Sequence, residues 1–454
     1  MAKVAVVGAG LSGLALCWYL KKFRPDWELI IFEKDLRPGG KARTIYKDGF
    51  LCEAGVNGVL DNKPSTLLLA KELGLKPLRS NDASRKRFIV KDGRLVRMPD
   101  SGSAFLSSPL LSFYGKLRVL AEAFIPKGDL SRDETLEEFA CRRLGEEAFK
   151  RLIDPMATGI YAGDPSKLSL RSCFPKIYHL EKEYGSLIRA MIKLQIAAKK
   201  RGKKGPGAGP GGTLTSFDNG MSELVDALRK KLSSSLRLGC EVKKVIRDKK
   251  KWLIITKDDE IEATHLVISC PAPQASKIFK DSLCELSEVS RAIYYPPIAV
   301  VSFGIQEKRL GKHLDGFGFL IPGPENRRIL GSLWDSSIFK YRAPEGYALV
   351  RTLVGGARTP MLGLLPDDQL VKIVHDELED IMGFKAWPDF VNISRWHESI
   401  PQYNVGHAKI EQKLSWITRG YKHLYIRANW VGGVSLNDCV LNSQLLAEQI
   451  AHGY

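Results

Sequence analysis

The chain has 454 residues, of which 44% are apolar and 26% charged, an ordinary globular composition with room for two or three domains. Its 69 Lys and Arg against 51 Asp and Glu give a formal charge of +18, which suits nucleic acid, an anionic membrane surface or an acidic substrate. No nucleic-acid motif, CxxC pair, metal-ligand spacing or apolar run of ~18 residues is present, which argues against nucleic-acid binding, a metal site and a bilayer span.

The first predicted elements carry the most chemistry. Val4-Ala5-Val6-Val7 is an apolar strand that breaks into Gly8-Ala9-Gly10-Leu11-Ser12-Gly13 and a helix. A second strand, Glu28 to Phe32, ends on Glu33, twenty residues after Gly13. This is the dinucleotide-binding fingerprint in its full context. Gly8 makes the tight turn, Gly10 admits the pyrophosphate to the backbone, and Gly13 lets helix and strand pack closely. The phosphates then meet the free N–H groups of a helix N-terminus. Glu33 can accept hydrogen bonds from the adenosine ribose, and its charge repels a 2′-phosphate, which argues against NADP. No signal or transit segment is expected ahead of the Val4 strand, and the scattered cysteines read as free thiols in a reducing compartment.

Arg37-Pro38-Gly39-Gly40-Lys41-Ala42-Arg43-Thr44 adds a second Gly pair with basic residues, followed by Glu53-Ala54-Gly55-Val56-Asn57-Gly58. A plain NAD dehydrogenase does not need this addition. Residues 87–90 and 94–96 flank Lys91-Asp92-Gly93 and read as a hairpin. From Ala104 to Phe124 apolar residues recur at roughly helical spacing, with Lys116 and Arg118 among them and Glu122 as the single acid. That stripe suits either a lipid surface or a packed core or dimer face. Ser131-Arg132-Asp133-Glu134 reads as a capping box opening a helix, Asp154-Pro155 as an interruption, and Tyr184 to Ala198 as a further helix. Residues 199–212 are a basic Gly/Pro-rich linker. An amphipathic helix carrying Met221, Leu224, Val225, Leu228 and Leu232 then leads into strands at 241–246, 252–256 and 265–269. Mainly β structure with one helix near Asp367–Met382 precedes a strand at 424–428, a Gly432-Gly433 turn and a helix starting near Asn437.

The segments after Glu33 resemble the amine-oxidase-like FAD enzymes, in which the chain wraps the flavin beyond the second strand. Over nearly its whole length the chain resembles the oxygen-dependent protoporphyrinogen and coproporphyrinogen oxidases. The resemblance rests on residues 158–164, 168–175, 316–322, 400–403 and 437–439. It implies an α/β fold with a Rossmann-like FAD-binding domain at 1–80, 213–282 and 408–454. A mainly β substrate domain at 81–98 and 283–407 and a helical domain at 99–198 complete it. Non-covalent FAD is expected to contact Gly8, Ala9, Gly10, Leu11, Ser12, Gly13, Glu33, Lys34, Gly40, Lys41, Gly55, Val56, Asn57, Gly58, Val242, Gly433, Val434, Ser435 and Leu436. A helix N-terminus at Gly433–Leu436 would stabilise negative charge on the reduced ring.

By the same resemblance Arg87 pairs with a substrate propionate, while Gly159, Phe317, Leu320, Leu333 and Leu353 sandwich a tetrapyrrole. The plain alternatives are a hairpin surface arginine for Arg87 and ordinary core for the apolar set and Val242. Thr158 stands where animal members carry an arginine, and Lys41 where some carry a bulky aromatic. The implied reaction oxidises a porphyrinogen to the porphyrin with dioxygen in haem biosynthesis. The expected location is cytoplasmic, with peripheral contact at the inner face of the cell membrane and a homodimer as candidate associations. Competing readings are an amine or carotenoid oxidase or desaturase of the same fold, and an escort-type binding protein without flavin chemistry. The latter group loses the Gly/Glu fingerprint that this chain keeps.

Overall fold

A computed structural model describes residues 2–200, 212–311 and 313–453. The strand Lys3–Val7 lies at the centre of a five-stranded parallel sheet in the order 236–237, 28–32, 3–7, 265–268, 424–426. Its residues read as a continuous apolar run because helices cover both faces, as parallel sheets require. Leu11–Phe23, Ser222–Lys231 and Leu436–His452 bury one face, and Ala272–Phe279, Cys284–Arg291 and His407–Gly420 back the other. An antiparallel meander, 244–248, 251–255 and 260–263, packs into the second layer.

A second sheet of seven strands runs in the order 390–396, 298–306, 347–355, 331–333, 318–320, 87–91, 94–97. The helix Asp367–Met382 packs on one of its faces. A cluster of short helices between Gly102 and Lys200 lies beside the opposite face, where Gly159 meets Leu320. The fold is mixed α/β.

Several predicted elements shift. The capping box belongs to Thr135 and Glu138, opening Leu136–Leu144, while Ser131 instead bonds Asp129 in a turn. Asp154-Pro155 does not interrupt helix. The chain widens into a π turn at Phe149–Ile153 and continues as Asp154–Tyr161, because proline is tolerated in a first helical turn. Positive φ at Gly185 ends a preceding helix, Pro175–Tyr184, so the helix expected at 184–198 starts at Leu187 and runs to Lys200. The 104–124 stripe becomes Gly102–Ser107 and Phe113–Leu120, each started by a serine cap, with a short 3-10 turn at Ala121–Phe124. Lys199 and Lys200 end a helix, and the remainder of the linker, 201–211, lies outside the described residues. The helix His407–Gly420 carried no signal strong enough to be expected.

Candidate functional site

The N-terminal fingerprint has the geometry of a phosphate cradle. Gly8 has φ +106°, and a Cβ there would sit 2.8 Å from Cys270 N. A Cβ at Gly13 would lie 2.2 Å from the Gly8 carbonyl, so only glycine lets the helix approach the strand. At Gly10 a Cβ would meet nothing within 4 Å, leaving the turn open on the side a ligand would occupy. Among the described residues, the first-turn N–H groups of Ser12 and Gly13 have no protein acceptor, while Gly10 bridges in parallel to Gly39. The buried Glu33 carboxylate accepts the Ala9 N–H at 2.9 Å and the Asp35 N–H at 3.1 Å, which joins the turn to the second strand. Desolvation pushes its pKa up.

The second Gly pair folds over the first. Gly40 has φ +55°, and a Cβ there would lie 3.5 Å from Gly10 Cα. The Lys41 carbonyl runs so close to Gly55 that a Cβ would be 2.3 Å away. The Lys41 ammonium lies 5.7 Å from the Tyr295 ring, and desolvation lowers its pKa to about 8. Lys34 is exposed and Val242 buried. The chain leading to Val242 passes beside the end of the second strand, with Cys240 N–H donating to the Glu33 carbonyl at 2.8 Å.

At the other end of the site, Gly432 and Gly433 turn through φ +75° and +117°. The Gly433 N–H is taken by the Tyr403 hydroxyl at 3.0 Å, which also donates to the Asn429 carbonyl at 2.8 Å. Val434 packs against the helical cluster, and Ser435 caps the final helix through the Asp438 N–H. The Leu436 N–H has no protein acceptor among the described residues. Gly40 lies over Gly10, and the Ser443 hydroxyl of the final helix donates to the Ser12 carbonyl at 2.9 Å, so elements from all three segments gather around the start of the first helix.

The seven-stranded sheet presents the second half of the site. Strand register aligns Arg87, Gly318, Leu333 and Arg351 in one row, and Leu320, Gly331, Leu353 and Val300 in the row two residues along. Rows two apart share a face, so the predicted leucines and Arg87 point the same way. Leu320, Leu333 and Leu353 are only half-buried, whereas Phe319 and Thr352 in the intervening row are buried. Gly159 approaches from the helical side, and a Cβ there would be 2.9 Å from Leu320 Cδ2. The Arg87 guanidinium lies 5.0 Å from the Phe317 ring. Among the described residues it has no carboxylate partner, and burial pulls its pKa down. That is a cation held against an aromatic with its donors unspent.

Tyr403, Arg351, Trp396 and Asp335 also belong here and were not singled out for a role. Arg351 had a signal, being the one charge inside the apolar strand Tyr347–Gly355.

The profile of the flavin-containing amine oxidoreductases matches residues 11–451. The chain is 30% identical to coproporphyrinogen III oxidase of Bacillus subtilis (strain 168), covering 96% of this chain and 95% of that one. It is 31% identical to the chloroplastic protoporphyrinogen oxidase of Nicotiana tabacum, over 98% of this chain and 84% of that one. A solved structure from Exiguobacterium sp. 255-15, provisionally assigned as a protoporphyrinogen oxidase, superposes with a TM-score of 0.85 at 26% identity, covering 100% and 99% of the two chains. Reduced UDP-galactopyranose mutase superposes at 0.74 with 16% identity, covering 100% of this chain and 94% of that one, so the shared fold alone selects no substrate.

Proposed function

The chain belongs to the flavin-containing amine oxidoreductases and is an FAD-dependent oxidoreductase, and we propose that it oxidises a porphyrinogen to the aromatic porphyrin in haem biosynthesis. Near-full-length likeness to coproporphyrinogen III and protoporphyrinogen oxidases supports this reading. The observation that carries it within this chain is the half-buried leucine face with the unpaired Arg87 at one end. A flat apolar macrocycle with carboxylate arms matches both parts.

FAD, when bound, supplies the two-electron acceptor for C–H oxidation. This chain's residues supply position. The Ser12, Gly13 and Leu436 amides offer donors to the cofactor. Arg87 holds a propionate, and Leu320, Leu333, Leu353, Phe317 and Gly159 flatten the ring and exclude water. Among the described residues no His/Cys/Asp/Glu group could hold a metal, and none of the chemistry above asks for one.

Dioxygen is the proposed acceptor. Protoporphyrinogen IX and coproporphyrinogen III are the candidate substrates, the latter offering two more carboxylates to a basic protein. A cytoplasmic location with weak contact at an anionic membrane surface completes the reading, as does a homodimer that sedimentation velocity would detect. Purified yellow protein mixed anaerobically with each porphyrinogen should lose its flavin absorbance. Admitting air should restore it and release fluorescent porphyrin. Failure of both porphyrinogens to bleach the flavin would overturn the substrate.

A further inference from the structure

The Glu53–Gly58 turn is gripped from behind by the seven-stranded sheet. Arg351 Nη1 donates to the carbonyls of Glu53 and Gly55 at 3.2 and 2.9 Å. The Trp396 indole N–H donates to the carbonyl between them, that of Ala54, at 2.6 Å. Arg351 is 3% exposed, and its Nε faces Asp335 Oδ2 at 3.0 Å. Asp335 is 0% exposed and accepts from the Asn57 side-chain amide at 3.3 Å.

Three consecutive carbonyls are thus turned toward one sheet. The N–H groups of Gly55, Val56 and Asn57 have no protein acceptor among the described residues. Asn57 Oδ1 is buried without a partner. A turn pinned by its carbonyls presents its amides elsewhere as a nest for electron-rich atoms. One charged group buried between two strands can set that orientation, whereas the turn itself, with Gly55 and Gly58, cannot.

We propose that Arg351 is a positioning residue for FAD, which through Asp335 and the carbonyls of Glu53 and Gly55 aims the amides of residues 55–57 at the cofactor. Leu353 lies two residues along the same strand and Leu333 opposite Arg351 in register. The strand that shapes the proposed substrate face therefore also sets the cofactor turn. The proposal rests on the flavin assignment and not on the porphyrinogen, so failure of one leaves the other standing.

The test is FAD titration of apoprotein, followed by the visible spectrum of the reloaded protein, for Arg351→Lys and Trp396→Phe. Lysine keeps the charge but cannot span Asp335 and two carbonyls together. Arg351→Lys should bind FAD about tenfold more weakly, the worth of one hydrogen bond from a charged donor, and shift the flavin bands. Trp396→Phe should weaken FAD by about threefold, as loss of one neutral donor predicts. A residue that only supported the fold would lower the melting temperature and leave the affinity and bands of the folded fraction unmoved. That result in Arg351→Lys overturns the proposal. If Arg351→Lys does not fold, wild-type affinity and spectrum in Trp396→Phe overturn it instead.

Discussion

Burial presses Arg87 and Glu53 toward their neutral forms, with consequences that can be measured separately. Arg87→Ala removes a charge-assisted contact remote from the reacting carbon. Steady-state kinetics should show KM raised by the equivalent of about 1.5–3 kcal/mol, with a smaller effect on kcat. An unchanged KM would leave Arg87 as a partner of Phe317 alone. Glu53 is 0% exposed, accepts from the Met221 N–H at 2.8 Å and from the Thr44 hydroxyl at 2.9 Å, and desolvation raises its pKa to about 7. The unfolded carboxyl titrates near 4.5. Between those values the folded chain holds a proton that the unfolded chain releases, so stability falls as pH rises, by about 3 kcal/mol once above 7. Glu53→Gln should flatten urea midpoints measured from pH 5 to 8, and an unaltered slope would refute the assignment. Residues whose backbone geometry is dictated locally, such as Gly8 and Gly13, were legible in the sequence. Arg351 and Tyr403 were not, because their roles depend on partners 298 and 30 residues away.

The segment Ala104 to Phe124 shows what helical spacing can and cannot settle. Periodicity found the apolar stripe, but Pro109 and the caps at Ser101 and Ser112 divide it, turning its residues different ways. Leu110 and Leu111 enter the core, whereas Tyr114 is 81% and Phe124 82% exposed, with Phe113 and Leu120 beside them. The single acid, Glu122, is buried, where it accepts the Leu187 and Ile188 N–H groups at the start of the next helix and pairs with Arg143. The outward surface is therefore apolar and basic without a carboxylate of its own. No helix among the described residues is long and apolar enough to cross a membrane. Cosedimentation with anionic vesicles should show weak binding at low salt that falls at high salt, and should weaken further in Phe113→Ser/Phe124→Ser. Pelleting absent at both salts would remove lipid from the function. The long helix Asp367–Met382 was legible to its ends because a tertiary face runs its full length, and the 102–124 helices were not because theirs is broken.

Across the whole molecule, the proposed cofactor cradle draws on residues near 10, 55 and 433, so a flavin bound there should stabilise the fold by joining all three. Cys439 lies 4% exposed inside the final helix, and burial raises its thiol pKa, so this sulfur is held as the unreactive thiol. Acid precipitation should release all the flavin to the supernatant, and yellow pellets would indicate a covalent link. The order of the parallel sheet has a consequence during synthesis. Lys3–Val7 pairs early with Glu28–Phe32, but its other neighbour is His265–Ile268, and the edge strand Leu424–Ile426 emerges about 420 residues after Lys3. At ~5–20 residues per second, the ribosome needs about 20–80 s to deliver that edge. Until His265–Ile268 emerges, about 260 residues after Lys3, Val4 and Val6, which finish at 0% exposure, belong to an apolar fragment with one side open. Until then that open side offers unpaired backbone groups as a template for other nascent chains.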